Sequence, residues 1–291
     1  MEINYQLKVD KAQIAYRLIR DQAQKPLITL IHGLASNCTR FTEFVNNTSL
    51  KESWDLLRID LRGHGDSMYR GYYDRNTWCN DLLAVLNKER YPQTIIIGHS
   101  LGAQVALNFA LQHPDRVRGL VLIDPIFPEN LHGALGRAKR FRLLISAANI
   151  VLRFLNKIGI KRWRIPKRDL YQLDLETRQT LAANKDLTIG ELYTNPLADL
   201  KYLPIVNYLQ DIVEVVRKLP DLSDISQPAL VLLSKGASIS SFDKTKAFID
   251  RIPDNKLVVI EADHWLLTEK PDEAREIIEQ WCSKMSPDYS Q

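Results

Sequence analysis

Residues 94–110 read Thr-Ile-Ile-Ile-Gly-His-Ser-Leu-Gly-Ala-Gln-Val-Ala-Leu-Asn-Phe-Ala. The β-branched apolar run breaks at Gly98 and resumes at Leu101, with Ala103, Ala106, Leu107 and Ala110 in helical spacing. The stretch is therefore read as a buried strand turning sharply into a helix. In the turn, Gly98-His99-Ser100-Leu101-Gly102, a glycine stands two residues to either side of a serine. Only glycine lets strand and helix approach that closely, and the bend lifts the Ser100 hydroxyl clear of the sheet edge, beside the free N–H groups of the helix start. A pattern with three fixed positions turns up by chance in about one chain in ten of this length, so the strand before it and the helix after it carry the weight.

Working outward, residues 3–9 and 13–19 alternate apolar and polar around Asp10-Lys11, the pattern of an antiparallel hairpin at a sheet edge. Buried strands are expected at Leu27–Ile31 and Trp54–Ile59, with a short helix near 40–46 between them. A helix over 76–90 follows, closed off by Pro92. Beyond the opening stretch, a strand at Gly119–Ile123 ends at Asp124-Pro125. Strands alternating with helices at this spacing imply right-handed crossovers and a mostly parallel sheet, with His32, Asp60, Ser100 and Asp124 drawn to its carboxyl edge. From 128 to 220 the alternation gives way to helical patterns broken at Gly159, Pro166, Pro196 and Pro204. The sheet resumes with Pro228–Leu233 and Lys256–Ile260, and an amphipathic helix spans roughly 271–284. The organisation expected is a core of residues 1–127 and 221–291 with a helical lid, 128–220, over the carboxyl edge.

The 291 residues, 45% hydrophobic and 25% charged, suit a globular α/β protein with a sizeable core. Cys38, Cys79 and Cys282 are widely spaced, which points to a reducing compartment rather than a disulfide framework. The first ten residues do not resemble a signal peptide, and neither Tyr91–Pro114 nor Leu143–Leu152 reads as a spanning helix. A cytoplasmic location is the expectation.

Four motifs stand in order: His32-Gly33; Arg62-Gly63-His64-Gly65-Asp66-Ser67; Gly98 to Gly102; and Ala262-Asp263-His264-Trp265. In this the chain resembles the α/β-hydrolase superfamily, its serine esterase and thioesterase-like branch, over nearly all its length apart from the lid. The resemblance implies an eight-stranded, mostly parallel sheet with helices on both faces. Ser100 would be the nucleophile, His264 its general base, and the backbone N–H groups of Leu34 and Leu101 the oxyanion hole. The acid is where the sequence departs from the family. Most relatives carry it after the seventh strand, but that region reads Ser234-Lys235-Gly236-Ala237-Ser238. Asp124, ending the sixth strand on the correct edge, is the leading substitute; Asp243 is the alternative, and Ser238 could assist by hydrogen bonding.

The expected function is hydrolysis of a small-molecule carboxylic ester or thioester through an acyl-enzyme, with no metal and no cofactor implied. Alternatives are acyl transfer, C–C bond hydrolysis or lyase chemistry on the same residues, or a non-catalytic ligand receptor. Residues 128–170 hold eleven Lys and Arg against Glu129 and Asp169, a net +9 that leaves the rest of the chain at −5. Three readings stay open for this basic stretch: a solvated surface, steering of an anionic substrate, or peripheral contact with an anionic membrane. The apolar residues from Phe141 to Leu155 interleave with these cations, a stretch that can line an acyl pocket inward and present its cations outward. No nucleic-acid motif accompanies the charge, and a monomer or homodimer is expected.

Overall fold

The computed structural model describes residues 2–184, 186–193, 196–236 and 241–285. Eight strands form one sheet: β1 (Glu2–Val9), β2 (Ala12–Ile19), β3 (Leu27–Ile31), β4 (Asp55–Ile59), β5 (Thr94–His99), β6 (Val117–Ile123), β7 (Ala229–Ser234) and β8 (Asn255–Ile260). Their spatial order is β1-β2-β4-β3-β5-β6-β7-β8. β2 runs antiparallel to β1 and β4, and every other pairing is parallel. Because β3 to β7 all run one way, the residues after them, His32, Asp60, Ser100, Asp124 and Lys235, share one edge.

The helices outside the segment between β6 and β7 are α1 (Thr42–Asn47), α2 (Arg75–Glu89), α3 (Leu101–Gln112), α10 (Phe242–Ile249), α11 (Leu266–Glu269) and α12 (Pro271–Ser283). Successive strand side chains point to opposite faces, and the core divides accordingly. Leu27 and Ile31 pack with Trp78 and Leu82 of α2 and Val105 of α3, whereas Ile28 and Leu30 pack with Phe44 of α1 and Ile278 of α12. Ile95, Ile96 and Ile97 of β5 are fully buried between these layers, each contributing about 1.5–3 kcal/mol. α2 starts where Asp74 accepts the Thr77 N–H at 2.9 Å, and it stops at Arg90, whose φ of 62° is left-handed. Before α1, residues Cys38–Phe41 form a 3₁₀ turn.

Between β6 and β7 lie α4 (Gly133–Arg140), α5 (Arg142–Lys157), α6 (Leu170–Ala183), α7 (Ile189–Tyr193), α8 (Pro196–Tyr202) and α9 (Ile205–Val215). α9 fixes this insertion to the core through a buried polar side. Asn207 donates to Gly63 O at 2.7 Å and Tyr69 O at 2.9 Å, Tyr73 Oη donates to Asp211 at 3.0 Å, and Arg75 N–H donates to Glu214 at 3.0 Å. His64 Nε2 stands 3.0 Å from Asp211 Oδ2, with both side chains at zero exposure.

In α5 the structure meets the sequence reading only in part, with Ile145 turned to the core side. Leu143, Leu144, Ile150, Val151 and Phe154 face solvent, while Asn149 and Arg153 turn inward to Gln210 of α9 at 3.0 and 2.9 Å. Helical periodicity defines an apolar side but not which way it turns; the polar side was taken by the partners that α9 offers.

Candidate active site

Ser100 sits between β5 and α3 with φ 56° and ψ −114°, a conformation that costs a non-glycine residue about 1–3 kcal/mol. A Cβ on Gly98 would collide with the Gly102 carbonyl, and one on Gly102 with the Ile31 carbonyl, so the two glycines make the bend sterically attainable. It is pinned by Ser100 N–H donating to Ile123 O at 2.9 Å and Ala103 N–H donating to Ser100 O at 3.0 Å.

His264, in the loop between β8 and α11, places Nε2 at 2.9 Å from Ser100 Oγ and Nδ1 at 2.5 Å from Asp124 Oδ2. All three residues are buried. An ionised carboxylate only accepts, so Nδ1 carries the hydrogen and the Nε2 lone pair faces the serine hydroxyl. Asp124 follows β6 with φ 42°, and its other oxygen accepts from Ser234 N–H and Ser234 Oγ, both at 2.8 Å. The carboxylate thus receives three hydrogen bonds, which fix its orientation toward His264.

The structure brings Ser100, His264 and Asp124 together. Asp243 lies exposed in the first turn of α10, while Ser238 is outside the described residues. Ser234 was not singled out from the sequence. Its only signal was a polar residue closing an otherwise apolar strand.

Leu101 is the first residue of α3, so no carbonyl of a preceding turn claims its N–H. The loop after β3 passes against the nucleophile: a Cβ on Gly33 would lie 3.2 Å from Ser100 Cβ. Burial, with repulsion from His64, holds His32 well below its usual range, so its ring is neutral. It donates from Nδ1 to Gly33 O at 2.9 Å and accepts the Leu61 N–H at Nε2, 3.1 Å. A trans peptide points its C=O and N–H in opposite directions, so His32, by fixing the Gly33 carbonyl, fixes the Leu34 N–H. His99 is likewise held neutral by burial and by His264, and donates to the His264 carbonyl at 3.1 Å.

The sequence also gave no hint of Arg40. Buried at the 3₁₀ turn after β3, it donates to Asp174 of α6 at 2.5 and 2.7 Å and to Thr268 of α11 at 2.9 Å. One guanidinium therefore joins the Gly33 loop side, the insertion and the helix that follows His264. Glu269 accepts the Asp263 N–H at 2.9 Å, and burial pushes its carboxyl up to about 7.

Ser100 and His264 open into a cavity of about 690 Å³, walled by Leu34 and Ile126 from the core, by Leu135 and Ile145 of α4 and α5, and by Ile212 and Val215 of α9. A larger groove of about 1520 Å³ lies between α5 and α9 and contains none of Ser100, His264 and Asp124. Chemistry assigns the smaller cavity to the site.

A sheet of this order, carrying a serine at a strained elbow after β5 and a histidine after β8, defines an α/β-hydrolase. The chain belongs to the family described as Serine aminopeptidase, S33, whose sequence model matches residues 22–271. It is 26% identical over 264 residues to an abhydrolase domain-containing protein of Schizosaccharomyces pombe, covering 88% of this chain and 92% of that one. It is 24% identical over 273 residues to the sn-1-specific diacylglycerol lipase ABHD11 of Danio rerio, covering 89% and 78%. In fold it is similar to a thermophilic esterase from Thermogutta terrifontis, with a TM-score of 0.69 at 19% identity over 99% of this chain and 100% of the esterase.

Proposed function

We propose that the protein is a serine hydrolase that cleaves a carboxylic ester or thioester through an acyl-enzyme on Ser100. The observation that carries this is the hydrogen-bonded chain from Ser100 Oγ through His264 to Asp124, at a backbone strained to present the hydroxyl. His264 Nε2 takes the serine proton as Oγ attacks the acyl carbon, Asp124 stabilises the imidazolium, and the N–H groups of Leu34 and Leu101 hold the oxyanion. His264 then gives its proton to the departing alcohol or thiol. Water, deprotonated by the same imidazole, releases the acid.

The cavity favours an acyl group over a peptide. Its walls are largely aliphatic, and among the described residues lining it the sole carboxylate is Asp199, paired with Arg168 at 2.6 Å. No carboxylate is thus left free to hold a peptide N-terminal ammonium. Helices α4 to α9 serve as the lid that excludes water from the acyl-enzyme. The relatives named as lipase and esterase hydrolyse the same class of bond.

The test is labelling by a fluorophosphonate probe together with turnover of p-nitrophenyl esters of increasing chain length. Wild type should be labelled and Ser100→Ala should not. Asp124→Asn should lower kcat by about 10⁴-fold, since it stabilises the wrong tautomer, while Asp243→Asn stays near wild type. An unlabelled wild type would remove the hydrolase reading, and a full-rate Asp124→Asn would remove the assignment of the acid.

A further inference from the structure

α5 is built inside out. Its inward positions Ser146, Asn149, Arg153 and Asn156 repeat at helical spacing and line the groove against α9, with Asn149 and Arg153 bonded to Gln210. Leu143, Ile150 and Phe154, the last two at the rim of that groove, are 75%, 69% and 61% exposed. Sixteen large apolar side chains are exposed among the described residues, and nine fall between Phe141 and Trp163. Five of the nine lie on α5 and the rest beside it, and an exposed apolar surface concentrated in this way marks a contact with something apolar.

Charge identifies that partner. From residue 131 to residue 168 there are eleven Lys and Arg and no Asp or Glu. Among the described residues the ion pairs these cations form are Lys167–Asp66 and Arg168–Asp199. Arg137, Lys139, Arg140 and Arg142 precede the apolar face, and Lys157, Lys161, Arg162 and Arg164 follow it. The groove beneath adds Arg70 and Lys218, while its Arg217 is paired with Glu214 and Asp74. Trp163, 73% exposed with Lys161 Nζ 4.1 Å from its ring centre, sits at the end of the face, an amphipathic pair suited to a headgroup layer. A second copy of the chain would bring the same cations against themselves.

We propose that the outer face of α5 and its basic flanks dock on an anionic lipid bilayer, the helix lying in the headgroup plane. The docking needs no chemistry at Ser100. If the hydrolase reading holds, one further consequence rests on it: α5 carries Ile145 on the cavity wall, so the helix that meets the bilayer also borders the acyl site, and the substrate class is a membrane-borne acyl lipid.

Flotation of the full chain with phosphatidylcholine vesicles containing phosphatidylglycerol tests this. Wild type and Ser100→Ala should float equally, which separates docking from catalysis. Binding should weaken on pure phosphatidylcholine and at high salt. The variant L143Q/I150Q/F154Q keeps the charge and helix propensity; it should bind at least about tenfold more weakly while hydrolysing p-nitrophenyl butyrate at the wild-type rate. The proposal fails if wild type does not float with anionic vesicles at low ionic strength, or if the triple variant floats as well as wild type. It fails equally if light scattering shows a wild-type dimer that the triple variant dissolves while neither floats.

Discussion

Helices α5 and α9 lie against each other in the insertion, and both divide into an apolar and a polar side, yet they turn those sides differently. The polar side of α9 is buried because residues 61–75 supply partners for most of its groups: the Gly63 and Tyr69 carbonyls for the Asn207 amide N–H, the Tyr73 hydroxyl and the nearby His64 ring for Asp211, and the Arg75 N–H for Glu214. The Arg75 guanidinium also receives the carbonyls of Glu214 and Arg217 at 2.6 and 3.0 Å, closing the carboxyl end of the helix. Its apolar residues Ile212 and Val215 face the cavity. α5 turns its polar side mainly to α9, with Arg153 also donating to Arg70 O at 3.2 Å, and apart from Ile145 on the cavity wall it leaves much of its apolar side exposed. A polar face can therefore form a seam inside a protein, provided the neighbouring segment pairs its groups; the apolar face goes wherever space remains.

The largest effect expected from breaking this contrast lies at Asp211. Removing one partner of a buried charge pair strands the other, so Asp211→Asn should cost about 3 kcal/mol, a fall in Tm of about 6–10 °C. Burial pushes the His64 imidazole down, but the charge of Asp211 outweighs it and holds the pKa above the ordinary value. A raised histidine pKa gives a stabilisation that is full below about 6.5, the unfolded value, and is lost as pH rises through the folded one. Denaturant titrations across pH should therefore show the gap between wild type and Asp211→Asn narrowing on the alkaline side. A gap that widens there would mean that His64 is neutral in the folded protein.

The same contrast marks what sequence could and could not disclose. The elbow was legible because only glycine at 98 and 102 permits the backbone there, and Asp124 because it closes the sixth strand. The hairpin followed from period-two alternation, the other six strands from continuous apolar runs, and α12 from a period-3.6 pattern. Ser234, Arg40 and the His64–Asp211 pair were not legible. Their partners lie 110, 134 and 147 residues away along the chain, and pairing at that range depends on how the insertion folds back. The direction of α5 was not legible for a related reason. A helical stripe carries no sign until the chemistry of its neighbours is known, and Gln210, which decides it, sits sixty residues downstream.

A middle-sized effect belongs to the seam between the two helices. Asn149 is buried, and its side-chain N–H donates to Gln210 Oε1 at 3.0 Å, an oxygen that Arg153 also reaches. Asn149→Ala removes one neutral hydrogen bond and leaves the Gln210 oxygen still occupied, so the loss should be about 1 kcal/mol, read as a shift in denaturation midpoint with an unchanged slope. A loss as large as that of Asp211→Asn would show that α5 and α9 unfold as one unit, fixed by the seam rather than by the loop at 61–75.

The smallest effect should come from the changes that look most severe on paper. In L143Q/I150Q/F154Q three large apolar side chains become polar, yet each is already more than half exposed, and glutamine matches leucine in helix propensity. Exposed substitutions of this kind alter stability by at most about 0.5 kcal/mol apiece, so Tm should stay within a few degrees of wild type. Val215→Gln on α9, one apolar residue made polar at a fully buried position, should cost more than the three together, because an amide side chain is desolvated there without a partner. If calorimetry instead finds the triple variant the less stable of the two, the outer face of α5 is covered in the protein as it folds, and the opposition between the two helices disappears.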